Sequence, residues 1–172
     1  MNSKSQTRIN QENIIPFQKG YDQYCTMLLQ KGNDAFHADD YYTSSQLYAQ
    51  CFEHAQSLLH MTKANIINDY DHNIALMVVS GKNLAESYTK SHATLHAEQV
   101  MQEVVDALLE EADKVRMYHN SRMCLLYHLK HATSELLHYA NLTSQPKERH
   151  SLDVVEASID IAKTLLPDIE VA

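Results

Sequence analysis

A chain of 172 residues, 44% of them hydrophobic and 21% charged, is long enough for one domain with a sizeable core. Three glycines and three prolines are too few for the turns of a β-sandwich or barrel, so the composition predicts an all-α protein. A formal charge of −8 opposes a phosphate backbone, and the longest apolar run, Ile74–Val79, is far too short to span a bilayer; neither nucleic acid nor a membrane is an expected partner.

Residues 1–12 read as a flexible polar tail without the apolar stretch of a signal peptide, ahead of a single helical domain over 13–172. From Pro16, which suits a first helical position, Tyr21, Tyr24, Cys25, Leu28, Leu29, Gly32, Ala35 and Phe36 recur with helical period. Ala38–Asp40 breaks that pattern and offers cap chemistry to a second helix burying Tyr41, Ser44, Leu47, Tyr48, Cys51, Phe52, Ala55 and Leu59. The cluster NDYDHN at Asn68–Asn73 reads as a turn and capping region before a third helix from about Ile74 to Lys90. A fourth helix is expected from about Ala93 to Tyr118 and a fifth from Ser121 to Ala140. NLTSQPKE at Asn141–Glu148 reads as a loop, and a sixth helix from Ser151 to Leu166 is stopped by Pro167. The expectation is about six helices arranged as three antiparallel hairpins.

Two of these segments share a pattern. In Lys31–Ala55, Gly32 is a small residue of the first helix, Phe36 an aromatic one turn later, and Tyr41, Ser44, Tyr48 and Cys51 alternate large and small along the second. In Asn83–Val105 the corresponding residues are Leu84, Ala85 and Tyr88, then Ala97, Met101 and Val104. Small residues at a helix crossing let two backbones approach while large ones fill the flanks. The pattern resembles the tetratricopeptide repeat, with a third hairpin keeping only Ala162 and Pro167. The units lie about 53 residues apart rather than the family's 34, and the usual inter-helix glycine is Asp39 in one and His92 in the other. The chain also resembles bacterial helical-hairpin proteins, a likeness that carries no activity. The tetratricopeptide resemblance implies a short solenoid in which the first helix of each hairpin lines a groove. Carried onto this sequence, that face comprises Leu29, Asn33, Phe36 and His37, then Val79, Lys82, Glu86, Thr89 and Lys90, with the fifth helix as third wall.

The fifth helix carries its own signal. Cys124, His128, His131, Glu135 and His138 form one stripe roughly 80° wide at helical spacing, apart from the apolar sector of Leu125, Leu129, Ala132, Leu136 and Ala140. A metal needs three or four converging ligands and one straight helix offers two, so the stripe reads as a groove wall, with a His-rich metal site as the alternative. Glu135-x-x-His138 is half of a di-iron signature, and the chain has no second Glu-x-x-His. His92 and His96 lack the glutamate of a zinc-protease helix. Asp69-Tyr-Asp71-His-Asn73 begins like a calcium loop, but Ile74 and Ser80 replace its glycine and bidentate glutamate. Arg122-x5-His128 resembles the short motif of the all-helical HEPN ribonucleases, which implies phosphodiester cleavage as a further alternative, against the net charge.

Together these readings predict a non-catalytic module that binds a protein or peptide partner and needs no cofactor. Its groove is expected to comprise Asn33, Phe36, His37, Lys82, Glu86, Lys90, His128, His131, Glu135 and His138. Lys and His donors suit an extended peptide or acidic tail, as in an adaptor, a regulatory subunit or a small acidic secretion chaperone. Uncapped apolar ends would favour a homodimer. Three widely spaced cysteines without a Cys-x-x-Cys fit reduced thiols and a cytoplasmic location.

Overall fold

A computed structural model describes residues 14–61, 67–114, 119–143 and, singly, Glu156 and Asp160, with side chains over 23–61, 70–112 and 121–143. Five helices are present: α1 (Ile14–His37), α2 (Tyr41–Met61), α3 (Ile67–Lys90), α4 (Thr94–Lys114) and α5 (His119–Leu142). No strand occurs among the described residues. The all-α expectation holds, with five helices where about six were expected. The sixth falls outside the described residues except for Glu156 and Asp160, which are helical. The polar tail of 1–12 also lies outside them.

The link between α1 and α2 is built by backbone chemistry that recurs between α3 and α4. Asp39 takes φ 60° and His92 φ 62°, the left-handed conformation that normally favours glycine. At the first turn, Asp40 N–H donates to Ala35 C=O and Asp39 N–H to Phe36 C=O; at the second, Ala93 donates to Tyr88 and His92 to Thr89. Each pair is a Schellman cap, closing the carbonyls left open at the helix end. The two differ in what starts the next helix. The Asp40 carboxylate accepts from Thr43 N–H at 3.0 Å, and hydrogen bonds with the Thr43 side chain and then this N–H hold its pKa below the ordinary value. Ala93, about 53 residues on, has no side chain to do the same.

The start of α3 corrects the sequence reading. NDYDHN lies inside the helix and does not precede it. Its Tyr70 and Asn73 are fully buried, and Tyr70 donates its hydroxyl to Glu111 of α4 at 2.7 Å. Burying a tyrosine ring against a neighbouring helix outweighs the weak local preference of Asn and Asp for turns.

Neighbours in sequence pack together, and α3 also meets both α1 and α5; among the described residues α2 does not meet α4. Cys25 of α1 lies against Cys51 of α2, and Asn33 against Tyr48, so residue numbers rise along one helix as they fall along the other. Ser44 of α2 shares a 2.9 Å hydrogen bond with Ser87 of α3. Because α3 is covered on two sides, its buried residues form a broad band including Ile74, Met77, Ser80, Gly81, Leu84 and Ala85. Small residues dominate where helices cross: a Cβ on Gly81 would lie 2.5 Å from Val104 of α4. Ser80 tolerates the interior by donating to Leu76 C=O at 2.7 Å.

Candidate functional site

The side of α3 left open by α2 and α4 faces the space between α1 and α5. Lys82 reaches across it, and its Nζ lies 2.8 Å from Glu135 Oε1 on α5. Both side chains are about one-third exposed, at 39% and 33%, so the pair bridges two helices in a solvated setting. Glu86, one turn further along α3, is exposed, and its charge acts on tyrosines of two other helices. On the first side, Tyr48 of α2 donates to Asn33 Oδ1 of α1 at 2.6 Å. Burial pushes the Tyr48 phenol up to about 12, with the Glu86 charge adding to the effect. On the second, Tyr139 of α5 is also pushed up by burial and then by Glu135 and Glu86; a hydrogen bond with Thr89 of α3 opposes the shift.

Further toward the N-terminal part of α3, Asp71 acts on the α5 stripe. Burial, and after it the Asp71 charge, push the Cys124 thiol up to about 11. His128 is held below its usual pKa by burial and by His131, with Asp71 pulling the other way. At neutral pH the thiol is protonated and is a poor nucleophile.

Of the expected groove residues, Lys82 and Glu135 meet across α3 and α5, Asn33 lies against Tyr48 of α2, Glu86 is exposed on α3, and His128 is half-buried on α5. His131 and His138 stand exposed at the rim, edge-on to Tyr127 at 4.5 Å and Tyr139 at 5.4 Å between ring centroids. Phe36 packs its ring on Tyr41 at 5.4 Å and closes the helix end, while His37 and Lys90 are exposed there. Among the described residues no group of three or more His, Cys, Asp or Glu is arranged to hold a metal ion. Arg122 and His128 are six positions apart on α5, which turns them roughly 120° from each other. Sequence reasoning missed the tyrosines. Tyr48 reads as a core filler and Tyr139 sits just off the stripe, yet each combines a buried ring with a polar tip, the signal of a side chain that reaches from core to surface.

These elements define an all-helical protein whose central helix presents a charged face between two others. The chain belongs to a family described as a protein family of unknown function, DUF2753, whose model matches residues 26–166. No curated protein and no solved structure matches it. None of the described helices is long and apolar enough to cross a membrane.

Proposed function

We propose that this protein is a non-catalytic binding module that holds a protein or peptide partner in a groove between α1, α3 and α5, formed by tetratricopeptide-like hairpins. The observation that carries the reading is the meeting of α3 with both α1 and α5 while α2 and α4 stay apart. That inequality is what a curved stack of hairpins produces: first helices crowd on the inner side and second helices spread on the outer. The matching left-handed turns at Asp39 and His92 support a repeated unit. Helices of 24 and 21 residues, repeated as 24 and 21, account for a repeat longer than the family's usual length. A cytoplasmic setting suits the free cysteines, two of which are buried.

The test is affinity capture from a lysate with Lys82→Glu/Lys90→Glu beside wild type, and Gln46→Lys/Gln50→Lys on the exposed side of α2 as control. Captured partners should change with the first variant and persist with the second. Equal retention by all three proteins would refute the groove.

A further inference from the structure

Cys25 of α1 and Cys51 of α2 are both free, fully buried thiols at the crossing of the two helices. The Cys25 Sγ lies 4.0 Å from the Cys51 carbonyl oxygen, and the Cys51 Sγ lies 3.7 Å from the Cys25 carbonyl oxygen. Each thiol donates to the backbone of the other residue, so the two side chains point at each other across the crossing. That facing arrangement is what a disulfide needs. Packing alone does not ask for sulfur at this place. At the corresponding positions of the second pair of helices, about 53 residues on, stand Val78 and Val104, and both are buried.

While the helices are closed the pair is inert. A hydrogen bond with the Cys25 side chain, and then burial, push the Cys51 thiol above its ordinary pKa, and it stays protonated at neutral pH. The cover over Cys25 is thin, however. Its neighbours Gln23, Tyr24, Thr26 and Met27 are all exposed, and among the described residues α1 meets only α2 and α3. A local opening of α1 therefore bares both sulfurs together. Cys124 has no cysteine to pair with, because α5 meets neither α1 nor α2 among the described residues.

We infer that Cys25 and Cys51 are a redox modification site, which a low-molecular-weight disulfide converts to an intramolecular disulfide locking α1 to α2. One thiol loses its proton to water, and the thiolate attacks the small disulfide. The small S–S bond breaks, a mixed disulfide forms, and one small thiol leaves after taking up a proton. The second cysteine, also as thiolate, then attacks the protein sulfur of the mixed disulfide. The Cys25–Cys51 bond forms and the second small thiol leaves with a proton. Two electrons pass from the two cysteines to the small disulfide, which is reduced to two thiols.

The experiment uses the full chain, purified under reductant, freed of it and incubated with oxidised β-mercaptoethanol. Remaining thiols are blocked and the protein is digested without reduction. The expected product is a pair of peptides joined through Cys25 and Cys51. The oxidised protein should melt about 5–10 °C above the reduced one, the scale set by tying residues 26 apart in sequence, and dithiothreitol should reverse the rise. Cys124→Ser should keep the whole effect and Cys25→Ala should lose it. The joined peptides are read in wild type, so the result stands whether or not the variants fold. Cys25 and Cys51 recovered as thiols, or each held as a mixed disulfide, would overturn the pairing. A Cys25–Cys51 disulfide that leaves the thermal transition unchanged or lowers it would overturn the lock.

Discussion

Gly32 is where α1 passes closest to α2, and the effect of adding one methyl group there follows from two opposing terms. A Cβ on Gly32 would lie 2.6 Å from Tyr48 Cε1, 2.8 Å from Cδ1 and 3.1 Å from Cζ. In a free helix Gly32→Ala would stabilise by about 1 kcal/mol, since alanine has the better helix propensity. Here the ring must move, and it has little freedom: Tyr48 is 2% exposed and its hydroxyl is fixed to Asn33 at 2.6 Å. Overpacking of a filled core costs about 1–3 kcal/mol. Loss of the Tyr48–Asn33 bond would add about 0.5–1.5 kcal/mol. Gly32→Ala is therefore expected to destabilise by about 1–3 kcal/mol net, read as a lower denaturant midpoint with unchanged slope. The same substitution in a Tyr48→Leu background, where the ring edge is gone, should be neutral or stabilising. A wild-type-background Gly32→Ala as stable as wild type, or more so, would refute the claim that this crossing sets the need for glycine.

Other substitutions test other parts of the structure. His92→Gly should raise stability, because a non-glycine residue in the left-handed conformation costs about 1–2 kcal/mol, part of it lost again to greater unfolded-chain entropy. Asp39→Gly should gain less, since Asp tolerates that conformation better and Asp39 accepts the Tyr41 hydroxyl; thermal melting of both variants ranks them. Tyr70→Phe removes a donor from the buried Glu111 carboxylate and should cost about 1–3 kcal/mol by denaturant titration, with Glu111→Gln partly restoring it in the double variant. His128 binds its proton less readily folded than unfolded, so between its lowered folded pKa and the ordinary histidine value of 6.5 the unfolded state holds more protons. Stability should therefore fall as pH drops below that value, and His128→Gln should show a shallower decline across pH 5 to 7.

The sequence was most legible where a helix buries one face. Of the α2 residues expected in the core from their spacing, Ser44, Tyr48, Cys51, Phe52, Ala55 and Leu59 are buried, while Tyr41 and Leu47 are half-buried. It was less legible in α3, which neighbours cover on two sides, so its buried residues do not form a narrow stripe and its start was placed seven residues late. Tyr24 is another miss: it is 37% exposed and meets His54 edge-on at 4.9 Å, where its period implied burial. Within the candidate site, which residues share a helix face could be read from spacing. Which helix they meet could not. Lys82 and Glu86 have the spacing of an intrahelical pair, but Lys82 finds Glu135, about 53 residues away, because α3 and α5 lie side by side. The Lys82–Glu135 bridge depends on the register of two helices, a tertiary quantity that no local period encodes.

The likeness between the two pairs of helices extends to the residues they bury. Positions about 53 apart pair Ser44 with Ala97, Tyr48 with Met101, Cys51 with Val104 and Ala55 with Leu108, and every one of these residues is buried. The packing role is thus carried twice, once per unit, by residues of similar shape. Tyr48 is where the chemistry departs: Met101 fills a corresponding place without a hydroxyl, while Tyr48 carries one to the surface and holds Asn33. Gly32, whose counterpart is Ala85, is the matching departure on the facing helix, since the wider ring needs the methyl removed. A polar tip and a missing Cβ occur together in the first unit because one requires the other. Their joint effect is a hydroxyl at the α1–α2 crossing, bonded to Asn33, that the second pair of helices has no means to supply. Departures of this kind from an otherwise consistent packing pattern are where function is expected to reside.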